Sequence, residues 1–394
     1  MPFFHAKIFA MSHAHGDQKI LSPLPSHYVG STGLGASPIV VPTQITPSNT
    51  LHEIIAFARA KGASDIHLTI GEPIIFRLIG QLIKISEEKL TPQGIKNLLT
   101  ASLSKEVMDE LLEIGDKEFV HPIEGFGRCR MALVRQRLGL DATIRLIPMS
   151  VPSFEQSGMP VACAGLTKWS QGMVLIAGPA ACGKTTTLAV LVEMINQSRH
   201  DHIICIESPI EIVYKAHHCE ITQREINLHT HSQLNALRAA MREDPDIIVV
   251  SELRDLDTIQ LAISAAETGH LVLGTMNTLS AAQTISRVID SFPADEQPII
   301  RNMISESLRG VICQQLIPSA DGKSLIAAYE VLIVNQSVSN LIREGRIAQI
   351  NNAMATGKAA GMQLMDVAIK QLLSEGKISL AQAKERIKNP QLFL

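Results

Sequence analysis

Aromatic residues make up only 4% of this 394-residue chain, with one Trp, three Tyr and ten Phe. So few rings leave little surface on which unpaired bases could stack. Charge of one sign is missing too: the formal net charge is −3, and no basic field marks a nucleic-acid or membrane-surface binder. No apolar run reaches the ~18 residues of a spanning helix, so direct membrane insertion is not expected. The six cysteines, Cys129, Cys163, Cys182, Cys205, Cys219 and Cys313, are scattered without a CxxC pair. That spacing fits neither a secreted disulfide framework nor a four-cysteine zinc site, and it points to a reducing cytoplasm. Met1 to Met11 carries one Lys and a short apolar stretch broken by His5, with no small-residue cleavage site after it. It does not read as a secretory signal.

What is present is a folded protein, with 46% hydrophobic against 19% charged residues. At ~150 residues per domain, the length suggests two or three domains. Residues 1–50 are rich in Ser, Pro, Gly and His and read as a flexible extension, within which Met11 is an alternative start. Leu51, Ile54, Ile55 and Ala58 then share one helical face that stops near Gly62, and Ile66, Leu68 and Ile70 alternate as in a strand. A helical stretch over Thr91 to Ile114 and strand-like sequence from Lys117 to Ile147 complete a small α+β domain at 51–148. Pro148, Pro152, Gly158, Pro160 and Gly165 punctuate a linker over 149–165. In 166–394 the grammar changes. Short continuous apolar runs, Met173–Ala177, Ile203–Ile206, Ile247–Val250 and Leu271–Leu273, alternate with helical segments. That pattern belongs to an α/β domain whose parallel sheet is covered on both faces. Near the end, Met365, Ile369, Leu372 and Leu373 share a face that closes at Gly376, and Ser379 with Gln382 opens the last helix as a capping box.

The segment GPAACGKT, Gly178 to Thr185, matches G-x-x-x-x-G-K-[ST]. It follows an apolar run and precedes the helical face Leu188, Leu191, Val192 and Ile195, so it sits at a strand-to-helix turn. Backbone N–H groups of Gly178, Pro179, Ala180, Ala181, Cys182 and Gly183 (Pro179 excepted) and the start of the helix at Lys184, Thr185 and Thr186 would cradle phosphate oxygens. Lys184 would reach the β- and γ-phosphates of ATP, and the Thr185 hydroxyl would ligate Mg²⁺. Hydrolysis further requires a carboxylate at a neighbouring strand end. Glu252 follows the run Ile247–Val250 and can orient or deprotonate water, and Glu207 closes the run Ile203–Ile206. His217, His218, His229 and His231 flank Cys219, but their spacing matches no metal template and they read as loop histidines.

Several separated segments resemble one family. GASDIHLTIGEPIIFRLIGQL, CEITQREINLHT, the stretch LRAAMREDPDIIVVSELRDLDTIQLAISAAETGHLVLGTMNTLSAAQ and SNLIREGRIAQI are together similar to the PilT-like ATPases of type IV pili, within the type II/IV secretion ATPase superfamily. The resemblance implies a PAS-like N-terminal domain joined to a RecA-like P-loop domain, a homohexameric ring, and ATP hydrolysis coupled to pilus retraction. It also implies a cytoplasmic place at the inner-membrane face of the pilus machine, with an inner-membrane platform protein and a paralogous ATPase as partners. By resemblance, Glu252 is the Walker B glutamate, Glu207 the acidic-box glutamate near Mg²⁺ and water, and His270 the first His-box histidine. Arg130 and Arg145 match N-terminal-domain arginines that serve the nucleotide, whereas Leu138 takes the place of a third.

The departures from the family pattern gather around the nucleotide. Ser208 stands for an aspartate, Ser251 for a glycine, Asn277 for the second His-box histidine, and Ala181-Cys182 for Gly-Ser. Ala181 is expected to keep a negative φ, because its Cβ penalises the left-handed region. These changes keep open a second reading, an ATP-binding accessory or regulatory ring subunit with weak hydrolysis. A pilus-assembly or secretion ATPase is a third, and a RecA-like nucleic-acid motor is disfavoured by the lack of basic and aromatic surface.

Overall fold

The computed structural model describes residues 41–387, so most of the extension expected at 1–50 lies outside the described residues. Its last ten residues do not behave as an extension. Ile45 is fully buried, and Thr50 caps the helix Leu51–Ala60 in a capping box with Glu53. The chain divides into two compact units, 1–150 and 151–394.

Unit 1 contains strands β1 (Asp65–Leu68), β2 (Ile75–Leu78), β3 (Gln81–Lys84), β4 (Asp116–Ile123), β5 (Gly127–Gln136) and β6 (Gly139–Leu146). They form one sheet in the order β3-β2-β1-β6-β5-β4, antiparallel at every pairing. Alternation decides which face is buried. Cys129, Met131 and Leu133 of β5 and Ala142 and Ile144 of β6 join Ile54, Phe76 and Leu99 in one core. The helical stretch expected over Thr91 to Ile114 is two helices, Pro92–Ser102 and Lys105–Ile114. Leu103 leaves helical geometry with ψ 153°, and the Ser104 hydroxyl accepts from the Val107 N–H, so a new N-cap breaks the run.

Unit 2 holds β7 (Gly172–Ala177), β8 (His202–Glu207), β9 (Glu220–Glu225), β10 (Ile247–Val250), β11 (Leu271–Met276), β12 (Leu308–Pro318) and β13 (Leu325–Ile333). The order is β13-β12-β7-β11-β10-β8-β9, with only the β12–β13 pair antiparallel. The unbroken apolar runs have a direct cause in this sheet. Met173, Leu175 and Ala177 of β7 enter one core cluster while Val174 and Ile176 enter another on the opposite face. The linker expected over 149–165 is instead largely part of this unit: Met159, Cys163 and Leu166 are buried in its second cluster, and the Tyr329 hydroxyl donates to Ser157 O at 3.0 Å. At the antiparallel edge, Glu330 is 4% exposed and accepts the N–H groups of Ala281 at 2.7 Å and Met365 at 3.3 Å. One carboxylate thereby ties down the starts of the helices Ala281–Asp290 and Met365–Ser374. Among the described residues, no helix is long and apolar enough to cross a membrane.

Candidate active site

Parallel pairing sets the position of the site. Ala177 lies opposite Met276, and Val250 lies opposite both Gly274 and Ile206, so the chain leaves β7, β11, β10 and β8 at one edge of the sheet. The phosphate loop, Asn277, Glu252 and Glu207 therefore share that edge. This is where an open α/β sheet places its ligands.

Within the loop, Gly178 has φ 152° and a Cβ there would fall 2.5 Å from Gln314 O and against Cys182 Sγ. Only glycine fits so close an approach. Gly183, at φ 91°, starts the helix Lys184–Ser198. Ala181 corrects the sequence expectation: its φ is 60°, in the left-handed region that its Cβ disfavours. The Lys184 amine donates to Gly178 O at 2.9 Å and Pro179 O at 2.8 Å. Partial burial pushes its pKa down, with nearby Cys182 and Glu252 pulling the other way. Cys182 is buried, and burial pushes its thiol up. Pro179, Ala180 and Thr185 are exposed, and Thr186 is half-buried.

Glu252 is held at both oxygens. Asn277 Nδ2 donates to Oε1, and Arg254 Nη2 pairs with Oε2 at 2.6 Å. Gln233 Nε2 adds a bond to the Glu252 carbonyl at 2.7 Å. Ser251, where the family has glycine, keeps a negative φ and joins the ladder by donating to Ile206 O at 2.9 Å. No glycine is needed there. Glu207 is 8% exposed at the end of β8, and Gln223 Nε2 donates to its Oε1 at 2.8 Å.

His270 is not brought to this edge by the chain's own fold. It precedes β11, its Nδ1 lies 3.0 Å from Ala265 O, and its carbonyl accepts from Gly172 at the start of β7. A six-residue strand, roughly 20 Å long, separates it from Asn277. Arg130 and Arg145 face one another across β5 and β6 in unit 1. Arg145 Nε bonds Asp65 Oδ1 at 2.8 Å, and Arg130 pairs with Glu118. Of the loop histidines, His217 pairs with Glu193 at 3.3 Å, and His229 Nδ1 accepts the Glu225 N–H. Periodicity and motif matching did not point to Gln223, Gln233, Arg254 or Gln314. Gln223 lies inside the QRE segment and Arg254 two residues beyond Glu252, so adjacency to a motif was the one available signal.

A phosphate cradle on a central parallel strand, with carboxylates leaving neighbouring strands at the same edge, is what nucleotide hydrolysis requires, and unit 2 is a P-loop ATPase unit. The chain as a whole belongs to the family described as Type II/IV secretion system protein, whose model matches residues 44–391. It is 41% identical over 341 residues to the type IV pilus retraction ATPase PilT of Pseudomonas aeruginosa, covering 86% of this chain and 99% of that one. A twitching motility protein of Neisseria gonorrhoeae is 40% identical over 320 residues, covering 80% and 85%. The crystal structure of the pilus retraction motor PilT with bound ADP matches with a TM-score of 0.77 at 39% identity, over 88% of this chain and 99% of that one.

Proposed function

We propose that this protein is a cytoplasmic ATPase that powers type IV pilus retraction as a ring of six copies. The observation that carries the catalytic reading is the shared edge: the loop leaves β7 and Glu252 follows β10 at the same end of one parallel sheet. Loop N–H groups and the helix start at Lys184 bind the triphosphate of ATP. Lys184, already directed onto the loop carbonyls, offers its remaining proton to a phosphate oxygen. Glu252 orients the attacking water and accepts its proton, and Asn277 holds its carboxylate by Oε1. The donor set at this edge, an exposed hydroxyl at Thr185 and a carboxylate at Glu207, fits Mg²⁺, and these two residues would hold it. When bound with nucleotide, the ion supplies charge neutralisation at the phosphates. Arg130 and Arg145, on a unit of PAS-like type, would serve the nucleotide of a neighbouring copy. A platform protein in the inner membrane and a paralogous ATPase are the partners this role implies.

The test is Mg²⁺-dependent ATP hydrolysis by the full chain. Lys184→Ala and Glu252→Gln should lose at least ~100-fold in turnover. Wild-type activity no higher than theirs would refute the motor. One observation favours a second reading, an accessory subunit with weak hydrolysis: Arg254 ion-pairs with the same carboxylate that must act as base. Tight ATP binding with near-zero turnover would select it.

A further inference from the structure

Beneath the phosphate loop lies a buried polar group that the mechanism above leaves unused. Gln314 is 4% exposed in the middle of β12, directly after the buried run Val311, Ile312 and Cys313. An amide there must have its bonding groups met. Its Oε1 accepts from the hydroxyl of Thr187, itself 2% exposed and one turn along the helix from Lys184. Parallel pairing sets Cys313 beside Ala177, which brings Gln314 level with the first loop residue. A Cβ at Gly178 would fall 2.5 Å from Gln314 O, and one at Gly183 would fall 2.9 Å from its Nε2. The glycines at both ends of the loop therefore rest on this one residue. On β13, Tyr329 stands opposite Gln314, and its phenol donates to Ser157 O at 3.0 Å.

We propose that Gln314 is a positioning residue for the phosphate loop. Acting through Thr187 and the two glycines, it sets the spacing between the end of β7 and the start of the helix, and so the fit of the cradle to a triphosphate. The proposal rests on the reading of residues 178–186 as the nucleotide loop.

A double-mutant cycle on the full chain tests it, with fluorescent ADP titration, steady-state ATPase kinetics and thermal unfolding measured together. Gln314→Met keeps length and removes the amide; Thr187→Val keeps shape and removes the hydroxyl. Each should weaken nucleotide binding by ~10-fold and raise KM, with kcat falling less than ~3-fold. The double variant should bind no worse than the weaker single, because both cut one connection. Losses that multiply in the double variant would overturn the proposal. So would singles whose nucleotide affinity is unchanged while melting temperature drops. Should Gln314→Met fail to fold, Thr187→Val carries the test with Thr187→Ser beside it: the serine keeps the hydroxyl and should bind nucleotide within ~2-fold of wild type, while the valine binds ~10-fold more weakly. An unchanged affinity in Thr187→Val would then overturn the proposal. Folded wild type that binds no nucleotide overturns the loop reading itself, whereas binding that is indifferent to these substitutions overturns only the role of Gln314.

Discussion

Replacing Ala181 with glycine should stabilise the protein, against the usual direction of such a change. Ala181 holds φ at 60° inside the phosphate loop. For a residue with a Cβ the left-handed region costs about 1–2 kcal/mol, and for glycine almost nothing. Against this, glycine gives the unfolded chain more freedom, which costs about 0.4–1 kcal/mol. Ala181 is exposed, so its methyl group contributes little burial to be lost. The difference leaves a net gain of roughly 0.5–1 kcal/mol, which in a unit of this size is about 1–4 °C in melting temperature. The comparison is made by thermal unfolding without added nucleotide, because binding adds its own stabilisation. Ala181→Val serves as the opposite perturbation: a branched Cβ at positive φ should lower the melting temperature. A glycine variant that melts at or below wild type, or a valine variant that melts with it, would refute the reasoning.

Asn277→His exchanges a donor that does not titrate for one that does. In the proposed mechanism the imidazolium stabilises the Glu252 carboxylate and weakens it as a base, so turnover at saturating ATP should fall more steeply from pH 8 to pH 6 than in wild type; superimposable profiles would count against the Asn277–Glu252 contact. Glu330→Gln removes the charge that ties down two helix starts and turns one acceptor into a donor facing an N–H, which should cost about 2 kcal/mol, read as a lowered denaturant midpoint. A change below about 0.5 kcal/mol would contradict that role. All six cysteines are buried, burial pushes Cys163 up to about 12, and Cys182 is pushed up as well. A thiol reagent at pH 8 should therefore label none of them before unfolding, and one fast-reacting cysteine in the native protein would show that its burial is wrong.

Much of the site was legible in the sequence because parallel strands buried on both faces write continuous apolar runs. The residues just past such runs must then lie on one edge. That reasoning placed the loop, Glu207 and Glu252 from the runs at 173–177, 203–206 and 247–250. His270 rests on the resemblance alone, since it and Asn277 flank the same run but lie at opposite ends of β11, and only Asn277 reaches Glu252. Periodicity misleads where one capping serine outweighs it, at Ser104, and where Pro and Gly suggest an inter-domain linker although Met159 and Cys163 bury against the sheet. Gln314 escaped notice because apolar patterning treats a lone polar residue in a strand as noise, and its meaning appears only once Thr187 and the loop glycines lie over it.

The departures from the family pattern bear on whether the protein hydrolyses ATP or only binds it, and those at Ser251, Asn277 and Ala181 are compatible with hydrolysis. Ser251 needs no positive φ, Asn277 still donates to Glu252, and the conformational cost of Ala181 belongs to the fold and not to a missing catalytic group. The strongest case for an inactive site is the pair between Arg254 and Glu252. Arg254 is 74% exposed, and an ion pair so open to solvent is worth at most about 1 kcal/mol. Breaking it to free the carboxylate slows turnover by a factor of about five or less. A contact of that strength tunes a motor. It is too weak to turn one into a subunit that binds ATP without hydrolysing it.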